Sequence, residues 1–185
     1  AEALPFLSSR KFEAVSQVTY AQVAEVSLGF RRWEGFRLNG FGALVPSKEK
    51  RDILGALFMS SLFKNRAPEG GAMLSVFIGG MRHPEFVQMN DDDLKAVVRK
   101  DISEILSIKE GAFNPEVFEI SRHEEAIPQY DIKTPARSAG FVEIERAFPG
   151  ILAGGNGIGG IGMADRIRQG RELALRAAVP DNGKN

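Results

Sequence analysis

Apolar and polar residues change period along this chain, and the changes mark its elements. From Gln22 to Phe30 the pattern alternates near its end, with Val26, Leu28 and Phe30 on one side and Glu25, Ser27 and Gly29 on the other. A period of two belongs to a half-buried strand. Phe36 to Pro46 is rich in Phe, Gly and Leu, and Ser47-Lys48-Glu49-Lys50 after Pro46 reads as a turn. Two further apolar runs, Ile53 to Phe63 and Met73 to Ile78, flank a polar loop over Lys64 to Gly71. Successive strands with turn-rich connections predict an antiparallel meander.

At Asn90 the period lengthens. Leu94, Val97, Val98, Ile102, Ile105 and Leu106 recur at helical spacing behind a cap at Asn90 or Asp91. The run Asp91-Asp92-Asp93 falls in the first turn, where acidic groups complement the helix dipole, so a solvated helix start is favoured over a metal site. Gly111 to Pro115 closes this unit, and Val117 to Ile120 reads as another strand. Residues ~10–130 therefore predict an α+β domain, a mixed or antiparallel sheet with a covering helix.

Beyond Tyr130 a different piece begins. Lys133 to Gly140 reads as a polar connection, Phe141 to Ala147 as a short helix, and Ile151 to Ala153 as a short apolar strand. A glycine-rich loop from Gly154 to Gly162 follows at once. Met163 to Ala178 then reads as a helix with Ala164, Ile167, Ala174 and Ala177 for packing, and Pro180 to Asn185 as a frayed tail. Strand, glycine loop and helix together bring backbone close to a phosphate or a flat cofactor, with N–H groups at the helix start aimed at it.

The pattern G-x-G-x-x-G occurs twice in the loop, from Gly155 and from Gly157. A dinucleotide fold would need a second parallel strand carrying an acid about 20 positions on. Only Val179 to Asn185 remain after the helix. No Gly-Lys-Ser/Thr triplet follows either, which excludes a Walker A loop. A loop that closes over a cofactor held mainly by another segment fits better.

Composition narrows the chemistry. The chain has 185 residues, 43% of them hydrophobic, enough for one domain or one domain with a smaller piece attached. Its 24 basic and 24 acidic side chains cancel, which argues against a nucleic-acid binder. The absence of Cys rules out disulfides, a thiolate nucleophile and a zinc site of the Cys type, and a cytoplasmic location fits most simply. No run reaches the roughly 18 apolar residues of a spanning helix. Ala1 to Phe6 lacks the regions of a signal peptide, and the missing initiator Met points to a processed chain or a piece of something longer.

Candidate catalytic side chains are sparse. His83 and His123 lack metal-ligand spacing and read as surface or packing residues. Glu124-Glu125 reads as a solvated strand end, Trp33 as a packed aromatic rather than a ligand platform, and no serine sits in a G-x-S-x-G elbow. No catalytic residue and no metal ligand is assigned. Such a chain fits a protein whose chemistry belongs to a cofactor.

Several segments together resemble the protoporphyrinogen oxidases. Gly40-Phe41-Gly42-Ala43-Leu44-Val45-Pro46 is similar to that family's GFG-x-LVP segment. Ile53-Leu54-Gly55, Phe77-Ile78-Gly79-Gly80 and Ala126-Ile127-Pro128-Gln129-Tyr130 follow in the family's order. The glycine loop with Asp165-Arg166-Ile167-Arg168-Gln169-Gly170 resembles its C-terminal G-x-G-x-x-D-x-I-x-x-G signature. The match runs from about Leu4 to Ala178.

The resemblance implies FAD as cofactor and oxidation of protoporphyrinogen IX to protoporphyrin IX in haem synthesis. It implies the fold of the flavin amine oxidases, a nucleotide-binding domain interleaved with a substrate domain. This chain would be the C-terminal part: residues 1–130 mainly substrate domain, with the first ~10 linking from the FAD domain, and 131–185 the end of the FAD domain. By resemblance Ile161, Gly162 and Met163 lie against the flavin, and Gly42, Leu44 and Phe77 line the tetrapyrrole cavity.

The implied partners are a porphyrinogen and the N-terminal part of the same polypeptide, which carries the ADP-binding glycine fingerprint. Peripheral membrane association and homo-oligomerisation stay open. After Ile-Pro-Gln-Tyr the family commonly has Gly-His and an aromatic that contacts FAD; here Lys133-Thr134-Pro135 stands instead. The rival readings are a carotenoid desaturase or amine oxidase of the same superfamily, and a non-catalytic module for a hydrophobic ligand.

Overall fold

The structure is a computed structural model and describes residues 15 and 17–178, so the expected link over the first ten residues and the tail Pro180–Asn185 lie outside it. The chain divides into two compact units. One is Ala21–Ala126; the other joins the described residues up to Tyr20 to those from Ile127 onward.

The first unit is built on an antiparallel sheet. Its strands are β1 (Tyr20–Phe30), β2 (Gly42–Leu44), β3 (Ile53–Leu57), β4 (Ala72–Gly79) and β5 (Val117–Pro128), in the order β2-β3-β4-β1-β5. The alternation read in β1 has its expected consequence. Val26 pairs with Val76, Leu28 with Leu74 and Ala24 with Ile78, and all six side chains are fully buried. Burying a Val, Leu or Ile contributes about 1.5–3 kcal/mol, so this face supplies much of the unit's stability.

The same core receives α1 (Asp91–Ile105) through Leu94, Val98 and Ile102, spaced four apart and wholly buried. Asn90 caps it, accepting the Asp93 N–H at 2.9 Å. The acidic first turn is thus a helix start, and no cluster of metal-ligating groups occurs among the described residues. At the other end Ser107 takes φ +51°, with its N–H on the Glu104 carbonyl and the Ile108 N–H on that of Ser103. This is a Schellman ending.

Asp101, also wholly buried, accepts the N–H groups of Asp52 at 2.7 Å and Ile53 at 3.1 Å, pinning the start of β3 to the helix. Trp33 stacks edge-on to Phe30 at 5.1 Å and donates its indole N–H to the Phe36 carbonyl at 2.8 Å. It is a packed aromatic, as expected. The apolar run from Ile53 does not continue as a strand to Phe63: β3 stops at Leu57 and a helical turn, Met59–Leu62, follows.

The second unit holds α2 (Thr134–Ala147) and α3 (Met163–Ala178). Here two expectations are corrected. The helix foreseen over Phe141–Ala147 begins at Thr134, inside what reads as a polar connection. Pro135 is tolerated because first-turn N–H groups have no helical acceptor anyway. Arg137, only 1% exposed, ties the polar half down: it pairs with Asp131 at 2.9 Å and donates to Thr134 Oγ1 and the Gln129 carbonyl. The segment Ile151–Ala153 forms no strand. Local acceptors take its donors, the Ile151 N–H going to Phe148 O and the Ala153 N–H to the Glu145 carboxylate at 2.9 Å.

Candidate functional site

Two places carry the residues that the sequence singles out, one in each unit. In the sheet, strand parity decides which side chains meet. Ala43 pairs with Ala56 and Ala56 with Val76 on the core face. Gly42 and Leu44, one residue either side of Ala43, therefore face the other way. On that opposite face two cross-strand rows form: Gly42, Leu57, Ser75, Ser27, and Leu44, Gly55, Phe77, Glu25.

The three expected substrate residues thus share one face, although 35 positions separate the first from the last. With strands about 4.8 Å apart, each row spans about 14 Å, broad enough to carry a flat ring system. Leu44 is 89% exposed and Phe77 half-buried, so apolar surface is presented here. A Cβ at Gly42 would stand 2.3 Å from the Ala56 carbonyl oxygen, and one at Gly55 would stand 2.4 Å from that of Ala43. Close approach of β2 and β3, not ligand fit alone, requires glycine at both positions. Gly55, Leu57, Ser75, Ser27 and Glu25 complete the two rows, and of these Leu57 and Glu25 were not picked out from sequence. Their signal was parity: Glu25 lies on the polar side of the β1 alternation, but only the register sets it opposite Phe77.

The glycine loop of the second unit is held from several sides. The Tyr130 hydroxyl donates to the Asn156 carbonyl and accepts the Gly160 N–H, both at 2.9 Å. From α3, Arg166 donates to the carbonyls of Gly155 and Ile158, and Gln169 donates to Ile158 O and accepts the Gly155 N–H at 2.7 Å. Gly159 and Gly160 take φ of +75° and +103°, which L side chains rarely adopt. The side chain of Asp165 occupies the space beside Gly160, where a Cβ would meet its carboxylate at 2.4 Å.

Ile161, Gly162 and Met163 form the exit of this loop and the first residue of α3. Ile161 is 49% and Met163 81% exposed. Glu145, which anchors Ala153 at the loop's entry, is held below the usual carboxylate range by the Arg176 guanidinium and then by the Ala153 N–H. Arg137 likewise holds the Asp131 carboxyl low.

This donor set suits an electron-rich flat group. Within the loop the carbonyls of Gly155, Asn156 and Ile158 are already engaged by side-chain donors. The first-turn N–H groups of α3 have no acceptor inside the helix and leave partial positive charge at its start. Ile161 and Met163 add exposed apolar side chains beside that helix start, a combination compatible with the flat ring of a flavin. Among the remaining candidates, His83 is exposed and lies 2.9 Å from Glu85, and His123, Glu124 and Glu125 are exposed along β5. None joins either place.

The fold and these two places define a class. A family model for flavin-containing amine oxidoreductases matches residues 2–176, and the chain belongs to that family. Its membership implies FAD as the cofactor. Within the family the chain is similar to porphyrinogen oxidases. It is 32% identical over 173 residues to the chloroplastic protoporphyrinogen oxidase of Nicotiana tabacum, covering 91% of this chain and 31% of the relative.

It is 28% identical over 163 residues to the coproporphyrinogen III oxidase of Bacillus subtilis, covering 86% and 33%. A crystal structure from Exiguobacterium sp. 255-15, provisionally assigned as a protoporphyrinogen oxidase, superposes with a TM-score of 0.78 at 20% identity, covering 95% and 39%, and shows the shared fold. The chain spans about a third of the length of the curated relatives it matches. No described helix is long and apolar enough to cross a membrane.

Proposed function

We propose that this chain is the C-terminal part of an FAD-dependent oxidase that converts protoporphyrinogen IX to protoporphyrin IX in haem synthesis. The observation that carries the reading is the sheet face, which Gly42 and Leu44 of β2 share with Phe77 of β4, with β3 between them. A face with the apolar stretch Leu44, Gly55, Phe77 and no side chain at Gly42 or Gly55 accommodates a flat macrocycle better than a small amine. The residue kinship to plant protoporphyrinogen oxidases supports the same substrate class.

When bound, FAD supplies the hydride acceptor for each two-electron oxidation. Ile161, Gly162 and Met163 would hold the flavin end, Ile161 and Met163 offering exposed apolar side chains and the N–H groups of the α3 start offering donors to negative charge. Gly42, Leu44 and Phe77 orient the substrate and exclude water from it. The remainder of the FAD contacts come from an N-terminal part of the same polypeptide. A coproporphyrinogen substrate is the second reading, favoured by the similarity to the Bacillus subtilis enzyme.

The test is porphyrin fluorescence from the full-length, FAD-loaded protein supplied with protoporphyrinogen or coproporphyrinogen and an electron acceptor. Formation of protoporphyrin at the higher kcat/KM is the expected result. A flavin-loaded protein that oxidises neither porphyrinogen but is reduced by an amine or a carotene precursor would overturn the reading.

A further inference from the structure

Glu25 is the feature of the sheet face that the proposed reading leaves unused. It lies in β1, which has a neighbouring strand on both sides, and sits directly across from Phe77. From β2 to β1 the row reads Leu44, Gly55, Phe77, Glu25, and it is apolar up to Glu25. The half-buried carboxylate accepts the Ser27 hydroxyl at 3.0 Å. Among the described residues no Lys, Arg or His forms an ion pair with it.

A carboxylate offers about four lone-pair sites, and one neutral hydroxyl leaves most of them free. Solubility does not call for a charge here, because the neighbouring β5 already carries exposed Glu119, Glu124 and Glu125. A carboxylate beside an apolar platform fits a ligand that is flat and greasy, donates N–H groups, and becomes positive.

We propose that Glu25 is a substrate-facing carboxylate that accepts pyrrole N–H groups and stabilises the cation formed during oxidation. This inference rests on the porphyrinogen reading above. In each two-electron step, with the flavin as acceptor, a bridging C–H bond breaks and its electron pair leaves with the hydride. The adjoining pyrroles then share a positive charge, which disappears when one N–H proton passes to water. A carboxylate against those nitrogens binds the neutral ring through N–H donation and binds the cation more strongly. It also repels propionate groups, so the carboxylated side of the macrocycle is directed away from this row.

The experiment uses the full-length, FAD-loaded protein and its Glu25→Gln and Glu25→Asp variants. Flavin absorbance per protein, melting temperature, and kcat and KM for protoporphyrinogen are measured on each. Glu25→Gln is expected to keep its flavin content and melting temperature while kcat/KM falls about 10- to 100-fold, the loss of one charge-assisted hydrogen bond. The fall in kcat should exceed the rise in KM, and Glu25→Asp should recover part of it.

A purely structural carboxylate would shift melting temperature or flavin content and leave kcat and KM unchanged. Unchanged kinetics in Glu25→Gln, with the unaltered protein active, overturns the role of Glu25 alone. Absence of porphyrinogen oxidation by the unaltered protein overturns this role together with the functional reading.

Discussion

Replacing Gly42 by Ala separates the backbone's demand for glycine from the ligand's. The added Cβ would sit 2.3 Å from the Ala56 carbonyl oxygen and 3.0 Å from the Leu57 Cα. Non-bonded heavy atoms settle nearer about 3.5 Å, so β2 and β3 must part by about 1 Å. β2 is an edge strand of three residues with three register pairs, so the strain is relieved by opening that edge rather than by disturbing the core. Overpacking of this kind costs about 1–3 kcal/mol.

Amide exchange over residues 42–44 and 53–57 should accelerate by about 5- to 150-fold, the same energy expressed as an opening constant. Leu44 leaves the face with its strand, so KM for porphyrinogen should rise while flavin content stays level. Leu44→Ala is the control: at 89% exposure it should change stability by no more than about 0.5 kcal/mol and still raise KM. Unchanged exchange in Gly42→Ala would refute the close-approach argument, and unchanged KM in Leu44→Ala would remove that side chain from the substrate face.

Asp101→Ala should destabilise the sheet unit by about 3–5 kcal/mol in urea unfolding, because it strands the N–H groups of Asp52 and Ile53. Asp101→Asn, which keeps an acceptor oxygen, should lose much less; equal losses would show that the acceptor is not the reason for the acid. Glu145 is held low by Arg176 and the Ala153 N–H, so its contribution is full above its ordinary value near 4.5 and disappears as pH falls through the lower folded value. Acid titration of the Ala153 amide by NMR should show this transition, and Glu145→Gln should abolish it. Tyr130→Phe removes both hydroxyl bonds that pin the glycine loop, and should weaken FAD binding several-fold in the full-length protein with little change in KM for porphyrinogen. Unaltered FAD affinity would mean that Arg166 and Gln169 suffice to hold the loop.

Local order was largely legible where periodicity and covalent constraint coincide. The β1 alternation and the Leu94, Val98, Ile102 spacing each placed a buried face correctly, because every other strand position or every fourth helix position is dictated by backbone geometry. The start of α2 was hidden. Its first turns are polar, and what holds them is the buried Arg137, whose partners lie partly outside the helix. The short strand expected at Ile151–Ala153 failed for the complementary reason: apolar composition suits a strand, but ladder pairing needs a partner, and nearby acceptors claimed the donors first.

The amino-acid sequence by itself determined the two kinds of piece, a meander with a covering helix and a glycine loop opening a helix, since both follow from local period and glycine placement. Motif order added the kinship to porphyrinogen oxidases. Only the tertiary structure decided that Gly42, Leu44, Leu57, Phe77 and Glu25 share a face, because a one-residue slip in any strand would turn its side chains to the core. It also decided why Gly42 is glycine, through a carbonyl 14 positions away. Register is a long-range property of paired strands, and no window along the chain contains it.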